Sequence, residues 1–216
     1  MTAQEQAPRP QARTWTVVWD PLVRVFHWTL ALSFFLAYVT EDDFLTVHVW
    51  SGYVVGGLVV LRILWGFVGP EHARFSDFLF APARVWGYLF DLLRLRAKRY
   101  LGHSPAGGAM VIALLASLAM TVWSGLELYA IEENAGPLAG ELMVARAYAA
   151  DEEEADEEEE NGVGVKGEDF WEETHEMLAN IALALVILHI SGVILASLVH
   201  RENLARAMVT GRKELR

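Results

Sequence analysis

The sequence predicts an all-α fold, an integral membrane four-helix bundle with an additional interfacial amphipathic helix. Three observations carry that expectation. Of the 216 residues, 54% are hydrophobic and the mean hydropathy is +0.27, above the ~45–50% apolar content of soluble domains. The apolar residues gather into four runs, each close to the ~20 residues that cross a hydrocarbon core. Charge falls between the runs, and its sign alternates from one connection to the next.

Residues 1–13 are rich in Pro, Gln and Ala, the composition of a disordered tail. Residues 14–216 then form one transmembrane domain. Asp20-Pro21 is a helix-start signal before the first span, Val23–Val39. His27 and Arg24 near its start, and the lack of a clear small-residue cleavage site, favour a retained helix over a secretory signal. The turn EDDFLT leads to the second span, His48–Val68, which Gly69-Pro70 ends. In APARVWGYLFDLLRLRAKRY, the residues Val85, Tyr88, Leu89 and Leu92 recur at three-to-four spacing before a basic end. Such a helix lies in the interface plane. GHSPAGG turns into the third span, Gly107–Tyr129. A loop from about 130 to 174 contains DEEEADEEEE at 151–160, a like-charge block expected to stay unfolded. The fourth span is His175–Val199, and a basic tail follows.

The charge split predicts orientation. Fifteen of the seventeen Lys and Arg lie in the N-terminal stretch, the 62–106 stretch and the tail after Val199; only Arg146 and Lys166 lie in the loop between spans three and four. By the positive-inside rule both termini face the cytoplasm, as in a multi-pass protein of the bacterial inner membrane. The opposite side carries 21 of the 28 acidic residues and is strongly anionic. Membrane lipid is therefore an expected partner and nucleic acid is not.

The chain contains no cysteine. Disulfides, thiolate metal sites and iron–sulfur clusters are excluded, as is covalent haem attachment through C-x-x-C-H. Histidines carry the chemical signal. His27, His48, His175 and His189 sit within apolar spans, where an ionisable residue is costly without a role. His175 and His189 are fourteen residues apart, nearly four helical turns, so both face one side at a separation of ~21 Å along the axis. By depth, His48 is level with His175 and His27 with His189. Two pairs joining different helices suggest two caged cofactors, and haem b suits them: imidazole is a good iron ligand, and two axial imidazoles leave no open position on the metal. Gly52 and Gly56 follow His48 near its face and make room for a flat macrocycle or for close helix packing. Arg62, again fourteen residues beyond His48, is placed to neutralise a propionate or to snorkel to head groups. His72, His103 and His200 read as loop or interface histidines, and Trp65 and Trp86 as interface anchors. Structural hydrogen bonding explains one intramembrane histidine better than four. A metal-ion transporter would gather its ligands, often with carboxylates, at one depth.

The stretches VWDPLVRVFHW, HVWSGYVVGGLVVLRILWGFVGP, YLGHSPAGGAMVIALL, ETHEMLANIALALVILHISG and HRENLARAMVTGRK resemble the bacterial cytochrome b561 family, which includes the b-type cytochrome subunit of nickel hydrogenases. The resemblance covers nearly all of the chain apart from the first dozen residues and the acidic loop. It implies a four-helix bundle holding two haems b, with iron ligands at His27, His48, His175 and His189. It also implies electron exchange with ubiquinone or another quinone as substrate. The LGHSPAGGAM and HRENLARAMVTGRK stretches are similar to the branch that works with periplasmic c-type cytochromes. The expected function is transmembrane electron transfer between the quinone pool and a periplasmic redox partner. Two alternatives stand beside it: a superoxide oxidase that reduces quinone, and a b-type subunit of a hydrogenase-like complex. The anionic outer surface would repel superoxide, so an electron-transfer protein is favoured over a stand-alone enzyme.

Overall fold

The computed structural model describes residues 14–41, 43–140 and 160–215. The N-terminal tail 1–13 and the acidic block lie outside the described residues, except the backbone of Glu160. The elements are β1 (Thr14–Val17), α1 (Pro21–Val39), α2 (Leu45–Val68), a 3-10 turn (Glu71–Ala73), α3 (Phe75–Phe78), α4 (Pro82–Leu93), α5 (Pro105–Glu132), α6 (Glu160–His200), α7 (Leu204–Thr210) and β2 (Arg212–Leu215). Among the described residues, α1, α2, α5 and the part of α6 from Asp169 to His200 are long and apolar enough to cross a membrane.

Local chemistry fixes the helix ends. Asp20 Oδ1 accepts from the Val23 amide at 3.0 Å, with Pro21 in the first turn. Ser104 Oγ accepts from the Gly107 amide at 3.1 Å, with Pro105 in the same role. Both satisfy an amide that has no partner within the helix. Gly69 closes α2, and Pro70 cannot continue it.

Two features differ from the sequence reading, and a third adds detail to it. The helix of the fourth span starts at Glu160, so the loop expected up to 174 is helical over its last third. Once the apolar span is helical, each added residue gains a hydrogen bond without a new nucleus, and no proline stops it. The fold also has a small antiparallel sheet, β1 with β2, pairing Thr14 with Leu215 and Thr16 with Lys213. Its strands are nearly the whole chain apart, so no local pattern announces it. Finally, α4 buries Tyr88 and Leu92 while the neighbouring face exposes Trp86 (64%), Phe90 and Leu93 (71%). The helix is thus apolar toward both protein and lipid, as an interfacial position demands.

The spanning helices pack in the order α1–α2–α5–α6, α6 resting chiefly on α5 and α1 on α2. Phe34, Val55, Val59, Leu115, Leu118 and Ala182 form the central core. Many other large apolar side chains on the spans, such as Leu32 and Leu198, point outward, as lipid-facing surfaces do. Neither α1 nor α2 packs closely on α6. That side is bridged by side chains instead, for example Tyr38 Oη donating to Asn180 Oδ1 at 2.9 Å.

Because β1 pairs with β2, both termini meet at one end of the bundle. There Gly211, at φ +76°, ends α7 in the left-handed conformation that glycine tolerates. Its carbonyl accepts from the Val18 and Trp19 amides at 2.8 and 3.1 Å. Arg99 donates to both oxygens of Glu202 at 2.8 and 3.1 Å and to the Glu214 carbonyl. Together these bonds tie the connection after α4 to the C-terminal segment.

Candidate cofactor sites

The structure brings the four span histidines together in two cross-helix pairs. His48 of α2 faces His175 of α6 with ring centres 6.0 Å apart and planes at 79°. His27 of α1 faces His189 of α6 at 6.4 Å and 54°. The first pair lies away from the termini and the second toward them. Each pair spans a slot between helices that do not pack closely on one another.

Haem is the group to test against these pairs. Two imidazoles bound to one metal ion, at a metal–nitrogen length of about 2.0–2.1 Å, place their ring centres roughly 6 Å apart, as found here. In the far pair the outward nitrogens are already engaged. His48 Nδ1 lies 2.9 Å from the Ala37 carbonyl, which can only accept, so Nδ1 carries the proton. His175 Nδ1 lies 3.0 Å from Ser124 Oγ, whose own proton goes to the Thr121 carbonyl. Both Nε2 atoms are therefore left unprotonated, the state a metal requires, and held by partners of the kind that orient metal-bound histidines. In the near pair, His27 Nδ1 is buried without a partner. Among the described residues, no group of three or more His, Asp or Glu gathers to hold a metal ion. Each pair thus supplies two donors only, and the rest must come from the cofactor, as a macrocycle provides.

A small, mostly apolar cleft, partly open to the outside, adjoins the far pair, lined by Phe34, Tyr38, Gly52, Leu118, Gly125 and Tyr129 among others. Gly52 has open space where a side chain would stand. Gly56 does not line this cleft: a Cβ there would lie 3.0 Å from Val122 Cγ1, so its small size serves the contact between α2 and α5. A Cβ at Gly125 would lie 2.8 Å from His175 Cε1. Neither Ser124 nor Gly125 stood out in the sequence, because small residues in an apolar helix carry no mark of what they face.

Arg62 is 4% exposed, so it does not snorkel to head groups. Its guanidinium lies over the rings of Phe75 and Phe78 at 5.4 and 5.8 Å. His103 lies in the connection before α5 but is packed inward: its ring sits between Trp19 (4.7 Å) and Phe78 (4.5 Å), and its Nδ1 is buried without a partner. Burial, then the cations Arg62 and Lys213, push its pKa down to about 3. His72 Nδ1 lies 3.2 Å from Asp77 Oδ2, and His200 Nε2 lies 3.2 Å from Tyr88 Oη. Trp86 is exposed, but Trp65 turns inward and donates to Asp20 Oδ2 at 3.5 Å.

Comparison with known proteins identifies relatives of the chain. The family model for prokaryotic cytochrome b561 matches residues 18–211. The chain is similar to three proteins named as probable Ni/Fe-hydrogenase B-type cytochrome subunits. The protein from Bradyrhizobium diazoefficiens is 26% identical, over 60% of this chain and 64% of its own length. That from Rhodobacter capsulatus is 29% identical, over 57% and 58%. That from Azotobacter vinelandii is 28% identical, over 55% and 61%. The chain thus spans about three fifths of the length of these relatives. No solved structure matches it.

Proposed function

The chain belongs to the prokaryotic cytochrome b561 family, a membrane b-type cytochrome of electron transfer, and from that premise we propose that it holds two haems b and conducts electrons across the membrane. His48 and His175 hold one haem, and His27 and His189 the other. The observation that carries this reading is the pair of imidazole pairs, 6.0 and 6.4 Å across, each bridging a slot between helices. Bound haem supplies one-electron exchange between ferric and ferrous iron. The residues do the rest. The two imidazoles of each pair would ligate the iron. Ala37 and Ser124 fix the ring orientation in the far site. Gly52 and Gly125 leave room beside it. Arg62 offers a buried cation to the carboxylates of the near haem.

The basic segments support a reading in which both termini and the near site lie on the cytoplasmic side of the inner membrane. The far site then faces the periplasm. Quinone is the lipid-soluble partner, and a basic periplasmic c-type cytochrome the protein partner. A hydrogenase-like complex is the second reading, favoured by the names of the relatives.

A pyridine haemochrome assay on the purified chain is expected to give two non-covalent haems. His175→Ala is expected to remove one spectral component and His27→Ala the other. One haem per chain, or loss of the same component in both variants, overturns the assignment.

A further inference from the structure

Two buried cations, Arg62 and Lys213, and the half-buried Arg24 lie at the end of the bundle that carries the β1–β2 sheet. Arg62 and Lys213 are each 4% exposed. Arg62 Nη1 has no hydrogen-bond partner, and Arg24, one turn before His27, leaves its Nε buried and unpartnered. The carboxylate acting on Arg62 is that of Asp20, whose oxygens already take the Val23 amide and the Trp65 indole. Glu202 is held by Arg99 and is the carboxylate shared with Lys213, so two carboxylates face Arg24, Arg62, Arg99 and Lys213. Burying cations in excess of their partners is strongly unfavourable, so this end fits a further anion.

The sheet register brings Lys213 there. Along β2, Arg212 points out and Lys213 in. Its Nζ lies 3.4 Å from the Tyr100 carbonyl and 5.9 Å from the Trp19 ring. Trp19 in turn packs on His103. His103 lies within electrostatic reach of Arg62, Lys213 and His189 together. The two buried cations therefore converge on the surroundings of the near histidine pair.

We propose that Arg62 and Lys213 form a cradle for a carboxylate, occupied by a propionate of the haem between His27 and His189, so that the C-terminal strand is part of that cofactor site. The inference rests on the two-haem reading. A free small carboxylate shares the same chemistry, and the test separates the two sources.

The full-length protein is loaded with haem carrying ¹³C in its propionate carboxylates, and infrared reduced-minus-oxidised spectra are recorded beside redox titrations. Arg62→Gln and Lys213→Gln are expected to shift the labelled carboxylate bands. Both are expected to lower the midpoint potential of the component that His27→Ala removes, because loss of a nearby cation favours ferric iron. Lys213→Arg keeps the charge and is expected to restore the wild-type potential. Lys98→Gln, at an exposed position, is expected to change neither. Two haems whose labelled bands ignore both glutamine variants overturn the cradle alone. So does an acetate-dependent shift in potential that Lys213→Gln abolishes, which assigns the site to a free anion. A single haem overturns the two-site reading and the cradle with it.

Discussion

Ser124 Oγ lies 3.0 Å from His175 Nδ1 and donates its own hydrogen to the Thr121 carbonyl. The hydroxyl is left as an acceptor, so a side chain on α5, with the Thr121 carbonyl acting on the same ring, helps set which nitrogen of a histidine on α6 faces the slot. Its counterpart, His48, relies on the Ala37 carbonyl instead. Of the two supports, only the serine can be removed by substitution.

Ser124→Ala is therefore expected to weaken haem retention at the far site alone. Loss of such an orienting partner typically costs about 10–100-fold in affinity. The measurement is the rate of haem transfer from purified protein to an excess of a haem-scavenging globin, followed for each spectral component. Equal rates in the variant and the wild type would remove the orienting role.

Gly125→Ala tests the space beside the same ring. The added methyl would stand 2.8 Å from His175 Cε1, too close without movement of the imidazole or of α5. The far component is expected to lose occupancy or shift its spectrum. Gly140→Ala, which meets nothing within 4 Å, is expected to be silent. An unchanged far component in Gly125→Ala would show that the helices part easily there.

Legibility in the sequence followed the range of the interaction. The spans were readable because they depend on local signals: apolar length, and Asp20-Pro21 at a helix start; Ser104-Pro105, within the stretch read as a turn, proves to be the start of α5. The cross-helix approach of His48 to His175 followed from depth along straight helices. The supports did not follow. Ser124 is 51 positions from the histidine it holds, and Lys213 enters through a strand whose partner is at the other end of the chain. The loop expected up to 174 was drawn too long, because helix propagation from the span carries the backbone back to Glu160.

His103 makes stability depend on pH. Burial holds its pKa near 3, below the ordinary 6.5. Between these values the unfolded chain binds a proton that the folded chain refuses. Its neutral burial is thus uncosted above about pH 6.5, and the fold loses stability as pH falls below it. One proton is worth about 1.4 kcal/mol per pH unit at most, or roughly 3–5 °C in Tm for a chain of this size. His103→Phe suits the aromatic surroundings and is expected to flatten the decline in melting temperature between pH 6 and pH 4. Parallel profiles for variant and wild type would contradict the assignment.

The Arg99–Glu202 pair gives stability of the opposite origin. Burial pushes the Glu202 carboxyl up, but the Arg99 bond, with Lys213 nearby, outweighs this and holds it below its ordinary range. The contribution is present in full above the unfolded value of 4.5 and is lost as pH falls below that value. The side chains are 24% and 11% exposed, so Glu202→Gln is expected to cost about 1–3 kcal/mol at neutral pH. Thermal melts of the variant in detergent at pH 7 and pH 4 check this. The difference from wild type is expected at pH 7 and should shrink at pH 4. A constant difference would point to packing rather than charge.

The acidic block at 151–160 bears on the choice of partner. Nine of its ten residues are Asp or Glu, and it lies on the far side of the membrane in the proposed orientation. A field of this sign raises the encounter rate with a cationic protein, and salt screens it with a Debye length of about 8 Å at physiological strength. Long-range charge acts mainly on association and less on residence time. Replacing the acidic residues with Ser and Gly is therefore expected to slow electron exchange with a basic c-type cytochrome at low ionic strength. The gap should close at high salt, with haem content unchanged throughout. Stopped-flow absorbance of the cytochrome, recorded over a salt series, measures both. If the two forms exchange electrons equally fast at low ionic strength, the block plays no part in docking and serves only as a solvated loop. If the variant is slower at every salt concentration, the block acts through fixed contacts rather than through its field.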